Sequence, residues 1–166
     1  MTRRPPVAQH GWALYAHPLF LDQLETLITE VDAQRDRDPV GYRSTNAAQR
    51  LAAIRRLILE VIPEDPTRAE YRQGTTLGDA HTHWFRATFF QQYRLFFRYH
   101  SAARIIVYGG VNDSTTKRAC GSSTDAYRVF RLMLDSGHPP TDWDALISQA
   151  SALEDSGTVA PPRAVD

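Results

Sequence analysis

Apolar positions along the chain follow two different periods, and the change between them divides it. Phe20, Leu21, Leu24, Leu27, Ile28 and Val31 recur at intervals of three and four, the spacing of one helical face. Pro18 stands where a first helical residue is tolerated, and the pattern ends before Asp38-Pro39. A second helix is predicted from about Asn46 to Ile62, with Leu51, Ile54, Leu57, Ile58 and Val61 on one face and Pro63 as its stop. Ahead of this hairpin, residues 11–16 alternate weakly, as a short strand does. After Gly74 and Gly78 the period becomes two. Residues 83–90 and 93–100 predict an aromatic-rich strand pair turning near Gln91-Gln92, and residues 104–111 a third strand. Residues 112–123 read as a polar loop. Residues 125–134 read as a helix capped by Ser123 or Thr124, with Gly137 just past its end. A last helix follows Thr141, whose spacing to Asp144 fits a capping box, and carries Trp143, Leu146, Ile147 and Leu153 inward. The order (helix pair, antiparallel sheet, short helices) is that of an α+β domain. Residues 1–10 are expected to form a flexible segment, 11–153 a single domain and 154–166 a disordered tail.

Composition narrows the class. A chain of 166 residues, 42% hydrophobic and 23% charged, is ordinary for one globular domain whose core needs no disulfide or metal. No run of about eighteen apolar residues is present, so no membrane span is expected. Arg3 and Arg4 are not followed by the apolar stretch of a secretory signal. Cys120 is the sole cysteine, which excludes an internal disulfide and a thiolate cluster and suits a reducing cytoplasm. The net charge of zero conceals a strong asymmetry. Residues 81–131 hold 8 Lys+Arg against 2 Asp+Glu, while residues 132–166 hold 1 against 6. Such a basic middle suggests a polyanion-binding surface followed by an acidic tail.

The basic middle also holds the candidate chemistry. Strand alternation turns Arg94, Phe96, Arg98 and His100 one way and Tyr93, Leu95, Phe97 and Tyr99 the other. If the helices cover the second face, the first offers two guanidinium groups and an imidazole, with Arg86 close by on the neighbouring strand. Arginine holds phosphate oxygens through a planar fork, and aromatic rings stack on splayed RNA bases. Strand arginines also serve as solvated charge that discourages edge-to-edge aggregation, so the cluster carries more weight than any single one. Metal-dependent cleavage needs converging carboxylates, yet Asp113 and Asp125 are the only acids in this segment. His81-x-His83 alone is a weak metal motif. A metal-free and cofactor-free mechanism is therefore expected, in which the RNA 2′-OH attacks its own phosphorus. It leaves a 2′,3′-cyclic phosphate and a 5′-OH. Tyr127, His83 or His100 are candidates for moving the protons.

Five separated blocks carry a resemblance. They are residues 11–18 (GWALYAHP), residues 93–99 (YRLFFRY), Asn112-Asp113, residues 124–127 (TDAY), and residues 137–143 (GHPPTDW). In this order the chain resembles the YhaV family of type II toxins over roughly residues 11–150. That resemblance implies a RelE/ParE-like fold, with an N-terminal helical hairpin packed on an antiparallel sheet and short C-terminal helices. It implies an endoribonuclease that cleaves mRNA at the ribosome, neutralised by a PrlF-like antitoxin of the AbrB type. Operator DNA would be bound only by the toxin–antitoxin complex. Carried over by position, Arg86, Arg94, Arg118 and Tyr127 are the expected catalytic residues. Arg98, His83, His100 and Lys117 are expected to contact RNA. The sequence departs from the family pattern at Cys120 and Gly110, where Tyr and Trp are usual. A non-enzymatic ParE-like toxin, acting on a protein target such as gyrase, is the alternative the same fold would allow.

Overall fold

A computed structural model of the chain describes residues 8–73, 77, 79–90, 93–112 and 130–153. Strands β1 (Ala8–Gln9) and β2 (Trp12–Ala16) form a tight hairpin. Its two-residue turn, His10-Gly11, has φ of 52° and 83°, the left-handed pair that matches strand twist. This hairpin lies partly within residues 1–10, for which the sequence predicts no element. Helix α1 (Pro18–Arg37) opens on an unusual cap, His17, whose side chain accepts from the Leu19 N–H. Helix α2 (Asn46–Arg56) is capped by Thr45, whose hydroxyl accepts from the Ala48 N–H. Strands β3 (Phe85–Phe89), β4 (Tyr93–His100) and β5 (Ile105–Val111) follow. The chain then contributes helical residues 130–135, helix α3 (Trp143–Gln149) and strand β6 (Ser151–Ala152). Among the described residues no helix is long and apolar enough to cross a membrane.

The sheet runs β1-β2-β5-β4-β3, with β6 added beside β2. The expectation of an antiparallel sheet holds for β3, β4 and β5 but not throughout, because β2 and β5 pair in parallel. The helical hairpin crosses the chain from β2 to β3, and the antiparallel run β3-β4-β5 then returns to lay β5 beside β2. One face of the sheet is covered by that hairpin. Phe20, Leu24, Leu27, Leu51, Ile54 and Ile58 pack there against Leu14, Tyr93, Leu95, Phe97 and Tyr108.

The second helix continues past Arg56 in a wider π turn, Leu57–Val61, and a last turn, Ile62–Glu64. Pro63 therefore sits inside the final turn, whereas the sequence predicts that it stops the helix. Widening the turn releases a carbonyl from the regular ladder, and the buried Tyr108 hydroxyl donates to the Ile58 carbonyl at 2.6 Å. Burial pushes the Tyr108 phenol well above its ordinary range, so it remains a donor.

The other sheet face carries a second core. Trp84, Phe96 and Val107 meet Phe130, Leu134 and Leu146. Residues 130–135 end in a left-handed Gly137 (φ 82°), with Gly137 N–H bonded to Leu134 O and His138 N–H to Met133 O, the double bond of a Schellman cap. Helix α3 starts at Trp143 with Asp142 as its cap, accepting from Ala145 N–H at 3.0 Å, in place of the predicted Thr141. Thr141 is engaged elsewhere.

Candidate nucleic-acid interface

Strand register decides which basic side chains share a surface. Arg86 pairs with Phe96 and Thr88 with Arg94, so Arg86 and Arg94 project from the face opposite the helical hairpin. Arg86 is the diagonal neighbour of both Arg94 and Arg98, about 7–8 Å away between Cα atoms. The alternation predicted for β4 is observed. Tyr93, Leu95 and Phe97 lie in the helix-side core, and Phe96 lies in the second one.

That second face is more covered than expected. Phe96 is 1% exposed and stacks on Phe130 with centroids 4.2 Å apart and planes within 3°. Trp84 meets Phe130 edge-on at 5.2 Å. Gly109 and Gly110 make room for these rings. A Cβ at Gly109 would overlap Trp84, and one at Gly110 would lie 3.1 Å from Phe130 Cε1. The site of the departure at Gly110 is thus filled by Phe130. Sequence reasoning missed this residue, although adjacent glycines in an aromatic sheet are a signal of close approach.

The three strand arginines have different surroundings. Arg94 lies at the start of β4, half-buried, and its backbone is clasped by Asn112. Arg94 N–H donates to Asn112 Oδ1 at 2.6 Å, and Asn112 N–H to Arg94 O at 3.3 Å. Its Nη1 donates to Tyr93 O at 3.2 Å. Arg86 is half-buried, and its Nη1 donates to Glu70 O at 2.9 Å. Arg98 is drawn into the C-terminal layer. Its Nη1 donates to Thr141 O and its guanidinium carbon lies 5.4 Å from the Trp143 ring centroid. Burial lowers the Arg98 pKa from its ordinary value, and the nearby Asp142 carboxylate opposes the shift.

The histidines separate likewise. His83 is exposed. His100 is exposed at the end of β4, where Nδ1 accepts from Ala103 N–H at 3.1 Å and the ring stacks on Trp143 at 5.4 Å. His81 is buried between Thr141 Oγ1 (2.5 Å) and Asp135 Oδ1 (2.9 Å). Its carbonyl accepts from Gln73 Nε2 at 2.9 Å. His81, Thr141 and Arg98 thereby clamp the C-terminal layer to the sheet. Lys117, Arg118, Cys120, Tyr127 and the predicted caps Ser123 and Thr124 lie outside the described residues. Among the described residues no group of three or more His, Cys, Asp or Glu converges as metal ligands would.

Two guanidinium forks on one sheet face have the shape and charge to hold phosphate oxygens. Comparison with known sequences gives the class directly: residues 14–151 match a family described as a toxin with endonuclease activity, of a toxin–antitoxin system. The chain belongs to this family, the YhaV toxins. It is 41% identical over 146 residues to Toxin YhaV of Escherichia coli O6:H1, covering 87% of this chain and 95% of that protein. It is also 41% identical over 143 residues to Ribonuclease toxin YhaV of Escherichia coli K12, covering 85% and 93%. No solved structure matches. The protein is therefore a toxin-antitoxin toxin with endonuclease activity, which does not favour the protein-inhibitor alternative.

Proposed function

We propose that this toxin is a metal-independent endoribonuclease of RelE/ParE-like architecture that cleaves mRNA at the ribosome in the cytoplasm. The observation that carries the reading is the placement of Arg86 and Arg94 as diagonal neighbours on the face away from the helical hairpin. Two guanidinium forks at that spacing suit one phosphodiester and the charge it gains as the 2′-oxygen attacks. In that step a P–O2′ bond forms, the P–O5′ bond breaks, and the 2′-OH proton is exchanged for one delivered to the leaving O5′. The products are a 2′,3′-cyclic phosphate and a 5′-OH. Arg118 and Tyr127 complete the proposed catalytic set. His83, His100 and Lys117 contact RNA beside it, and Arg98 supports that surface through Thr141 and Trp143. The partner in this reading is a PrlF-like, AbrB-type antitoxin, and operator DNA is bound by the complex alone.

The test is single-turnover cleavage by Arg94→Ala with RNA affinity measured in parallel. A contact made mainly to developing charge is worth on the order of 10²–10³ in rate, so the rate should fall by that factor while affinity changes little. Arg94→Lys should recover little of it, since an ammonium has no fork. A folded Arg94→Ala protein with full cleavage rate removes Arg94 from the mechanism.

A further inference from the structure

The helix-covered side of the molecule carries a feature that RNA cleavage does not use. Where α2 and its π turn pass the end of β3, an open cavity of about 530 Å³ is lined by Ala52, Ala53, Leu57, Val61, Phe89 and Phe90, with the exposed Arg56 alongside. Two alanines on adjacent helical positions give the groove its depth, and the π turn brings Leu57 and Val61 to its wall. Phe90 is 49% exposed and held at φ 49°, a backbone region that a bulky aromatic side chain enters only at a cost. β3 is the outer strand of the sheet, and among the described residues its outer edge is bridged only at Phe85, by Arg72.

We propose that this groove and the adjoining β3 edge dock the antitoxin of the system. The occupant is an extended segment that lies along β3, seats a large apolar side chain between Ala52, Ala53 and Phe90, and sets a carboxylate beside Arg56. Family membership supplies the partner, since a toxin of a toxin–antitoxin system has a cognate protein to bind. The lining argues for protein over RNA, because a nucleic acid needs cations along its backbone and this groove offers one. Among the described residues the outer edge of β3 past Phe85 has no paired strand, which suits strand addition, in which main-chain bonds give affinity and a pocket for alternate side chains gives selectivity. Charge points the same way: Arg56 is the one cation lining the groove, it is well exposed and its contact to Glu60 is a distant 4.0 Å, so a segment bringing a carboxylate to it is favoured. The groove and the Arg94 surface are on opposite sides of the sheet, because Phe89 packs in the helix-side core while Thr88 and its partner Arg94 project the other way. Holding the antitoxin is therefore separable from cleaving RNA. The inference rests on family membership and not on the assignment of Arg94.

The experiment is titration calorimetry of the purified cognate antitoxin into toxin variants Ala52→Arg and Phe90→Ala, with RNA cleavage measured in the absence of antitoxin. Both residues are exposed, and far-UV circular dichroism checks that each variant folds. Affinity for the antitoxin should fall roughly tenfold or more, as it does when an anchor pocket is filled or its wall removed. Cleavage should stay within about twofold of the parent, since neither residue touches the basic face. With the unsubstituted pair, amide exchange should slow along residues 86–90 and 52–61 when the antitoxin binds. Unchanged affinity in both folded variants overturns the proposal. So does exchange protection confined to other segments, or a toxin that dimerises through this groove and binds antitoxin unchanged.

Discussion

Gly109 and Gly110 act by what they lack. Only hydrogen stands between the strand and the rings of Trp84 and Phe130, and those rings carry the second core. Gly109→Ala would drive a methyl into the buried Trp84 and should cost about 2–3 kcal/mol, the range of overpacking in a tight core. At Gly110 the new carbon would meet Phe130 Cε1 at 3.1 Å, a contact that a small ring shift relieves, so about 1 kcal/mol is expected. Urea denaturation of the two variants checks both the sizes and their order. His17 is a residue of another kind, because its place at the start of α1 requires an uncharged ring. Nδ1 accepts from Leu19 N–H while Nε2 is bonded to Gln149 Oε1 at 2.8 Å. Burial lowers its pKa from the usual 6.5; the bond to Gln149 opposes this and the nearby His138 adds to it. The unfolded chain thus takes up a proton more readily than the native one. The stability from His17 is present in full above pH 6.5 and is lost as the pH falls below it towards the lowered native value. His17→Asn keeps a capping side chain without a titrating ring. The difference in urea midpoint between neutral pH and about pH 5 should be smaller in that variant than in the parent. Equal pH dependence in the two proteins would show that other groups set it.

At the scale of elements, the legible parts of the fold are those whose signal is local. Leu24, Leu27 and Val31 fall on one helical face and are buried as that spacing predicts. Arg94 and Phe96 point together because alternation along an eight-residue strand leaves no choice. The π turn was not legible, since Leu57 and Ile58 have the same apolar spacing in either helix. The carbonyl left without a helical partner, Ile58 O, is met by Tyr108, fifty residues away along the chain. Nor was the parallel pairing of β2 with β5, which depends on the helical hairpin crossing to β3 and on the β3-β4-β5 meander returning to β2. In the site, alternation placed Arg86 and Arg94 together, but the enclosure of Arg98 follows from the docking of the C-terminal layer by long-range contacts. His81 is the centre of that docking. His81→Ala leaves Thr141 and Asp135 without the buried imidazole, while the backbone bond from Gln73 remains, and should cost about 1–3 kcal/mol. Hydrogen exchange offers the sharper reading. Amides of residues 130–149 should exchange faster in His81→Ala while those of α1 and α2 keep their protection. Uniform acceleration through all elements would mean that His81 stabilises the domain as a whole and is not a local clamp.

Across the whole molecule, charge and layering divide the work. The helical hairpin supplies the larger core and, with β3, an apolar groove suited to a protein. The opposite face carries Arg86 and Arg94 within a segment of 8 Lys+Arg against 2 Asp+Glu. The acidic stretch that follows, with 6 Asp+Glu against 1 Arg, balances the net charge without interrupting that segment. In the proposed mechanism this surface would hold a polyanion and stabilise added charge on phosphorus with its own cations, which is what self-cleavage of RNA by its 2′-OH requires. The chemistry at the new ends therefore tests the account most directly. Purified toxin is incubated with RNA, and with ribosomes where they are needed, and the termini are identified by mass spectrometry. Naked RNA is assayed with EDTA throughout. The account predicts 2′,3′-cyclic phosphate and 5′-OH ends, formed at an undiminished rate when divalent ions are chelated. Cleavage that requires restored Mg²⁺ or Mn²⁺ on naked RNA, or that leaves 5′-phosphate and 3′-OH ends, would contradict it.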